Sequence, residues 1–533
     1  MFRVGAAVGA KVASSSATLP LALSSASFSG TAAAAFVISS MTLGRNVVNQ
    51  IGLKTPQAPV PPAKSVLTEP HTVDAEAILA KTAAMDAAEW SVDEIAKTLR
   101  ESHLVTWGAT GAVDPIQIAQ GDGVYFTDTA GKRYLDWNSG AMCSNLGHTV
   151  PEEVIEAVVE QMRAAPYAYP CHTTVPIKAK LGRLMQELMP GDLNHFFYTC
   201  GGAESNEAAL RMAKLFTGRS KVMARYRSYH GGSAATMALT GDPRRWTAEP
   251  AMGNVIRVFD PDPYHVSFGK TEEEIVANNL THLREVIQYE GGHNIMAFFL
   301  ESVTGTNGVL KPPAGYLEGV RAICDEHGIL MVCDEVMAGF WRTGEPFGFM
   351  HSDPMIVPDI VTMAKGINGA FVPLGAVAVR DHIAEHFMDH PISIGTTYNS
   401  HPVGLASAYA ALKHSLATGI GANAKAMEPV MQKHMNELAD KHPAVRAARS
   451  VGLFGMVDLQ KNSAGEPFVT YNGPPSPAIA AFNKELRENG LFTLFRWSSF
   501  MCNPPLIINE EQIAEAFDII DRSFAPIDDA FEG

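Results

Sequence analysis

Three chemically active side chains each follow a short apolar run. Glu301, Asp334 and Lys365 come immediately after four mostly apolar residues, and the group Tyr229-His230-Gly231 comes shortly after the predicted strand at 221–226. Taken singly, such residues are ordinary loop residues or helix caps. Asp334 and Lys365, however, are 31 residues apart, which places an acid and an amine at the ends of successive predicted strands.

This pairing matches the needs of one cofactor, pyridoxal phosphate. The cofactor requires an amine that forms a Schiff base, a carboxylate beside its ring nitrogen and a site for its phosphate. Lys365 would supply the amine and Asp334 the carboxylate. In the segment 200–207, Gly201 and Gly202 open a predicted helix, whose free backbone N–H groups favour a phosphate. The sequence therefore predicts a pyridoxal-phosphate site.

Helices alternating with apolar strands would hold these residues in place. From Pro151 onward the sequence predicts helices at 154–162, 177–189 and 204–216, and strands at 221–226, 254–259, 295–300, 329–333, 360–363 and 375–379. Near-continuous apolar strands are typical of parallel sheets with both faces covered. We therefore expect an α/β fold with a mostly parallel sheet between helices and the chemistry at the carboxyl ends of its strands.

The chain divides into four segments by composition and predicted secondary structure. Residues 1–68 contain five basic residues and no acid before Glu69, are rich in Ser and Ala, and end in a Pro-rich stretch. This pattern predicts a transit peptide and linker, mitochondrial by preference, with a plastid as the alternative. We expect residues 69–150 to pack with a small domain, residues 151–405 to form the large cofactor domain, and residues 406–533 to form the small C-terminal domain.

Composition excludes several functional classes. The 533 residues contain 41 Lys and Arg against 56 Asp and Glu, for a net charge of −15, which disfavours nucleic acid. The sequence contains no uninterrupted apolar stretch of 18 or more residues, so no membrane-spanning helix is predicted. The six cysteines show no paired spacing, and no zincin, dinucleotide or P-loop motif occurs, so no metal site is predicted. The expected partners are small molecules.

Two longer motifs resemble a known family. The run from Asp334 to Gly344 (DEVMAGFWRTG) and the run from Pro358 to Gly366 (PDIVTMAKG) are similar to the signature of class III, fold-type-I pyridoxal-phosphate aminotransferases. The resemblance extends from about His103 to Pro526. It implies an α/β fold with a large cofactor domain and a smaller α+β domain, which is built from the N-terminal segment and the C-terminus.

The resemblance also implies roles for individual residues. Lys365 would form the internal aldimine, and Asp334 would contact the pyridine nitrogen. Val336 would pack on one ring face and Tyr229 on the other. The remaining cofactor-binding residues implied in this way are Gly202 and Ala203 in the phosphate-binding turn, Glu301, and Thr397, which would reach the phosphate in the neighbouring subunit. The expected assembly is accordingly a homodimer or a dimer of dimers.

Substrate choice is less constrained. The segments 240–246 and 496–497 look most like the branch that includes taurine–pyruvate and other omega-amino-acid transaminases. Arg496 would bind a substrate carboxylate, and Met142 lies where some relatives carry an aromatic. The expected reaction moves an amino group from an amine or omega-amino acid to a 2-oxoacid such as pyruvate. A glutamate-1-semialdehyde-type aminomutase is the alternative, and a non-enzymatic scaffold ranks third.

Overall fold

The structure is a computed structural model that describes residues 73–249, 253–264 and 268–533. The transit peptide and linker predicted at residues 1–68 lie outside the described residues. The chain divides into two units between Glu89 and Trp90. In the first unit, helix α1 (Ala75–Ala87) begins at Asp74, whose side chain accepts a hydrogen bond from the backbone of Ala77.

The second unit contains the remaining helices. They are α2 (Val92–Ser102), α3 (Ser139–Met142), α4 (Glu152–Ala164), α5 (Pro176–Leu188), α6 (Gly202–Thr217), α7 (Ala234–Leu239), α8 (Glu272–Glu290), α9 (Tyr316–His327), α10 (Asp381–Asp389), α11 (Pro402–Thr418), α12 (Ile420–Lys441), α13 (Pro477–Glu488), α14 (Glu510–Arg522) and α15 (Ala525–Asp528).

The strands of this unit form three sheets. They are β1 (Ile118–Asp122), β2 (Tyr125–Asp128), β3 (Arg133–Asp136), β4 (His195–Thr199), β5 (Lys221–Arg225), β6 (Val255–Val258), β7 (Ile295–Glu301), β8 (Leu330–Asp334), β9 (Ile360–Met363), β10 (Gly375–Val379), β11 (Val445–Val451), β12 (Phe454–Leu459), β13 (Leu491–Phe492), β14 (Phe495–Arg496) and β15 (Ser499–Cys502).

The central sheet has seven strands in the order β4-β10-β9-β8-β7-β5-β6. Strands β6, β5, β7, β8 and β9 are parallel to their neighbours in this run, whereas β10 is antiparallel to both β9 and β4. The α/β fold with a mostly parallel sheet, predicted from the apolar runs, is confirmed. Edge strand β4 was not predicted.

Helices cover both faces of this sheet. In β8, Leu330 and Val332 join one buried cluster, while Met331 and Cys333 join another on the opposite face. Because successive strand residues point to opposite faces, a strand covered on both sides must be apolar throughout. This explains why the sequence shows continuous runs instead of alternation.

Two four-stranded sheets complete the unit. One has the order β1-β2-β3-β13, in which Leu491 of β13 pairs with Leu135 of β3. The other has the order β11-β12-β15-β14 and comes entirely from the C-terminal part of the chain. The first sheet therefore joins the segment before the central sheet to the segment after it.

The described residues include neither a candidate membrane-spanning helix nor a candidate metal-binding cluster. No helix in the described ranges has both the length and the apolar character needed to cross a bilayer. The same ranges contain no group of three or more His, Cys, Asp or Glu side chains placed to hold a metal ion.

Candidate functional site

A cavity of about 420 Å³ lies at the carboxyl ends of β7, β8 and β9, and we call it the Lys365 cavity. In β7 and β8, Glu301 and Asp334 are the final residues and are direct partners in the parallel register. Lys365 lies two residues beyond the end of β9. The residues predicted from sequence that line this cavity are Gly202, Ala203, Tyr229, Glu301, Asp334, Val336 and Lys365.

Lys365 is presented by a strained turn. Its φ is 47°, in the left-handed region that non-glycine residues rarely adopt, and it begins a short 3-10 helix, Lys365–Ile367. Removal from water lowers the pKa of the Lys365 amine; the negative charges of Asp334 and Glu301 oppose this shift. A lowered pKa makes the neutral, nucleophilic amine accessible closer to physiological pH.

Asp334 is buried and fixed by three hydrogen bonds. Its Oδ2 accepts from Nδ2 of Asn206 and from Nδ1 of His230, each at 2.8 Å. Its Oδ1 accepts from the backbone N–H of Val336 at 3.0 Å. These contacts fix the position of the carboxylate at the wall of the cavity.

The residues behind Asp334 form a buried network. Oγ1 of Thr362 donates to Oδ1 of Asn206 at 2.8 Å, which leaves the Asn206 amide group oriented toward Asp334. The backbone N–H of His230 donates to Oγ1 of Thr240 at 3.0 Å. The network thus positions both donors to Asp334, through Thr362 on β9 and through Thr240, which directly follows α7.

The N-terminus of α6 faces the cavity without a capping side chain. Gly201 precedes the helix and makes no side-chain cap, and Gly202 is its first residue. A Cβ atom added to Gly202 would lie 2.9 Å from the methyl groups of Val336, so a larger residue would force Val336 away. A sixteen-residue helix with uncapped N–H groups beside an amine and a carboxylate fits a phosphate-bearing cofactor.

Glu301 anchors the loop that carries Tyr229. Its Oε1 accepts from the backbone N–H of Tyr229 at 3.0 Å, and its Oε2 accepts from that of Gly305 at 2.7 Å. Burial raises the pKa of Glu301, with Asp334 adding to this effect and His230 opposing it. Glu301 therefore holds two loops together at the rim of the cavity.

Thr397 and Met142 lie outside the lining of the Lys365 cavity. Thr397 is exposed, and its carbonyl oxygen accepts a hydrogen bond from the Tyr167 hydroxyl at 3.0 Å. Met142 is buried and packs in a cluster with Val303 and Phe454, while its neighbours in sequence reach the cavity.

Arg496 lines a different cavity of about 190 Å³, which we call the arginine cavity because Arg227, Arg446 and Arg449 also line it. Nη2 of Arg496 lies 3.1 Å from Oδ2 of Asp242, and its guanidinium lies 4.2 Å from the ring centre of Trp497. Burial lowers the pKa of Arg496, and Asp242 opposes this shift.

Several residues at the site were not predicted from sequence. Asn206 and Thr362 act on Asp334 through hydrogen bonds, and Cys143 and Cys200 line the Lys365 cavity. Asn206 lies one helical turn after Gly202 on α6, so helical spacing from the phosphate-binding turn was the available signal. Cys200 directly precedes the glycine pair and could have been found in the same way, whereas Cys143 lies in a segment that carries no such signal.

Comparisons with known proteins agree with this geometry. The family described as "Aminotransferase class-III" matches residues 108–524. The structure of taurine:2-oxoglutarate aminotransferase from Bifidobacterium kashiwanohense, in complex with PLP and glutamate, is 35% identical with a TM-score of 0.79, covering 83% of this chain and 100% of that chain.

Two curated relatives carry different names. The putrescine–pyruvate aminotransferase of Pseudomonas aeruginosa is 31% identical over 75% of this chain and 88% of its own length. The mitochondrial gamma-aminobutyrate transaminase 1 of Oryza sativa subsp. japonica is 31% identical over 78% of this chain and 81% of its own length.

The family match spans most of the chain, and the cavity residues supply an amine, a carboxylate and an uncapped helix N-terminus. The family, fold class and cofactor predicted from sequence are confirmed. The chain belongs to the class-III aminotransferases, enzymes of fold type I that use pyridoxal phosphate.

Proposed function

We propose that the enzyme moves an amino group from an amine or omega-amino acid to a 2-oxoacid such as pyruvate, with the cofactor held by Lys365. The observation that carries this proposal is the meeting of Lys365, Asp334 and the N-terminus of α6 in one cavity. Named relatives that act on taurine, putrescine and gamma-aminobutyrate support a donor of the amine or omega-amino-acid class.

Each of these residues has a distinct task. Pyridoxal phosphate, when bound, supplies an aldehyde for amines and a ring that accepts electrons from the amine-bearing carbon. Asp334, held by Asn206 and His230, keeps a proton on the ring nitrogen. Lys365, whose pKa is lowered by burial, would take a proton from the amine-bearing carbon of the donor in the first half-reaction and would give a proton to the corresponding carbon of the acceptor in the second.

The acceptor needs a carboxylate anchor, and we assign this role to Arg496. A guanidinium binds a carboxylate through two parallel hydrogen bonds. Asp242 occupies Arg496 in this structure, so the acceptor would have to compete for the guanidinium. Only another anion can replace the carboxylate of Asp242 at this guanidinium. Arg496 should therefore bind an oxoacid in preference to an uncharged molecule of similar size.

A panel of amine donors tested against pyruvate, 2-oxoglutarate and glyoxylate checks the proposal. We expect oxoacid-dependent transfer with ping-pong kinetics, because the first product leaves before the oxoacid reacts. Turnover of glutamate-1-semialdehyde without any added oxoacid would instead support an aminomutase. Absence of transfer with every donor and acceptor would contradict the proposal.

We also propose a homodimer, or a dimer of dimers, in which Thr397 contacts the partner's cofactor phosphate. The exposure of Thr397 outside its own chain's cavity supports this role. Mixing Lys365→Ala and Thr397→Ala subunits should restore activity, since each hybrid has one site with both defects and one with neither. Inactive but confirmed heterodimers, or a fully active monomer in sedimentation, would contradict shared sites.

We propose a mitochondrial location, with a plastid as the alternative. The basic, acid-poor composition of residues 1–68 supports it, and so does the mitochondrial gamma-aminobutyrate transaminase among the relatives. A fluorescent fusion to residues 1–68 should co-localise with a mitochondrial marker. Plastid import of the same fusion would select the alternative.

A further inference from the structure

Arg244 lies against the aromatic wall of the Lys365 cavity. Its guanidinium carbon is 3.8 Å from the ring centre of Tyr229 and 5.4 Å from that of Trp107. Tyr229 lines the Lys365 cavity. A cation in this position contacts the same ring that we expect to stack on the cofactor, and it therefore lies close to where a substrate must enter.

The polypeptide holds Arg244 firmly. Asp242 and Arg244 begin the short helix Pro243–Thr247, in which Oδ1 of Asp242 accepts from the backbone N–H of Arg244 at 2.9 Å. Nε of Arg244 donates to the same carboxylate at 2.9 Å, and its Nη2 donates to Oγ1 of Thr306 at 3.0 Å. The side chain is thus fixed before any ligand arrives.

The local charges do not cancel. Asp242 is fully buried and is shared by two guanidiniums, those of Arg244 and Arg496. Although burial opposes ionisation, the two arginines hold the pKa of Asp242 below its usual range, so it stays anionic. One negative charge therefore faces two positive charges, and one positive charge is left for an external anion.

Arg244 also retains donors for that anion. Among the described residues, Nη1 of Arg244 donates to none, and the side chain keeps 18% of its surface exposed. The positive charge of Arg244 contributes to lowering the pKa of Lys365. Tyr229, which the Arg244 guanidinium contacts, lines the same cavity as Lys365.

We propose that Arg244 binds the acid group of the amino donor, so that the preferred donors are omega-amino acids carrying a carboxylate or a sulfonate. This inference rests on the proposed aminotransferase function and narrows its donor class. The donor's amine would lie at Lys365 and its acid group, a few carbons away, at Arg244. A diamine would place a second cation near the arginine and would be disfavoured.

The first test measures the donor half-reaction of the holoenzyme by the change in cofactor absorbance. We expect Arg244→Gln to slow β-alanine and taurine by about ten- to a hundredfold, the range of one charge-assisted contact. The half-reaction with 1-phenylethylamine, which has no acid group, should stay within about twofold, and putrescine should react faster. If β-alanine slows more than taurine, the preferred acid group of the donor is a carboxylate; if taurine slows more, it is a sulfonate.

Arg245→Gln is the matched control. Arg245 is next in sequence, but its Nε pairs with Glu249 at 2.7 Å, and its guanidinium makes no ring contact with Tyr229 or Trp107 among the described aromatic pairs. We expect it to leave every donor unchanged. Equal slowing of all donors by Arg244→Gln, or no slowing of β-alanine and taurine, would overturn the proposal.

A second readout separates this inference from the proposed function. Isethionate and 3-hydroxypropanoate carry the acid groups of taurine and β-alanine without the amine, so they bind but cannot react. Measured by calorimetry, the affinity for at least one of these two anions should fall about tenfold or more in Arg244→Gln. Arg245→Gln should change the affinity for neither. Failure of the wild type to bind either anion would overturn the role of Arg244 whether or not transfer occurs.

A more conservative variant covers the case in which Arg244→Gln fails to fold. Arg244→Lys keeps the charge but loses the planar fork that stacks on Tyr229. We expect an intermediate loss for β-alanine and taurine and a wild-type melting temperature. An unchanged rate for both acids in a folded Arg244→Lys protein, together with unchanged anion binding, would overturn the guanidinium as the anchor.

Discussion

The Lys365 cavity and the arginine cavity are built in different ways. The first takes Glu301, Asp334 and Lys365 from the ends of adjacent strands of one sheet. The second takes Arg227, Arg449 and Arg496 from segments far apart in the chain. The first cavity therefore depends on the central sheet, whereas the second depends on the edge strands β11 and β14 of the C-terminal sheet, which carry Arg449 and Arg496, and on the loop after β5, which carries Arg227.

Their charges differ as well. Glu301 and Asp334 place buried carboxylates around the one lysine of the Lys365 cavity. In the arginine cavity, guanidiniums predominate and are partly matched by acids, as in the pair of Arg449 with Asp458 at 2.6 Å. The first cavity thus groups two carboxylates with one amine, and the second groups several guanidiniums.

The largest expected effect is at Lys365. Lys365→Ala removes the amine that we propose to hold the cofactor and to move the proton, so turnover should fall by roughly ten-thousandfold. The wild type should show visible cofactor absorbance that the variant loses. Borohydride reduction and peptide mapping of the wild type should place the label on Lys365, and a label on any other lysine would show that the assignment is wrong.

Asp334→Asn should have the next largest effect. Asparagine keeps the size of the side chain but cannot hold a proton on the ring nitrogen by charge, so we expect a roughly hundred- to thousandfold loss of turnover. Cofactor absorbance should persist under saturating cofactor. Near wild-type turnover would remove the role that the geometry gives to Asp334.

Asn206→Ala tests the support behind Asp334. It removes the hydrogen bond at 2.8 Å to Oδ2 but leaves that of His230. A hydrogen bond to a charged group contributes about 1.5–3 kcal/mol, so turnover should fall about ten- to a hundredfold. Asn206→Asp places a second acid beside Asp334 and should lower turnover further than Asn206→Ala does. Equal turnover of the two variants would show that the charge of Asp334 does not matter.

Some of the site residues could be predicted from the sequence alone, and others could not. Asp334 and Lys365 could be predicted because the carboxyl end of an apolar strand is visible in the sequence, where the apolar run stops. Parallel strands then bring those ends together. The contact of Arg244 with Tyr229 could not be predicted, because it depends on the path of the chain between them, through two irregular segments and the short helix α7. Strand β4 was missed for a related reason: it begins with the polar His195 and pairs only at the sheet edge.

The smallest expected effect concerns Glu335, next to Asp334. Glu335 is fully buried and accepts from the backbone N–H groups of Gly348 and Phe349, at 2.8 and 3.1 Å. Burial raises its pKa to about 7. A raised folded-state pKa stabilises the protein at low pH, and this contribution is lost as pH rises through about 7.

Glu335→Gln stays neutral at every pH and therefore removes this dependence. Relative to the wild type, the free energy of unfolding of the variant should rise by about 1 kcal/mol from about pH 6 to about pH 8. Chemical denaturation at the two pH values measures the difference. Glu160→Gln, at an exposed position on α4, is the control and should show no such rise; a parallel pH response of both variants would argue against a titrating Glu335.

The most direct test of the division between the two cavities is stopped-flow measurement of the two half-reactions in Arg496→Ala. We predict that the oxoacid half-reaction slows about ten- to a hundredfold, because a charge-assisted contact is lost. The half-reaction of a donor without a carboxylate should remain within about twofold of the wild type. Equal slowing of both half-reactions, or of neither, would contradict the assignment of acceptor binding to the arginine cavity.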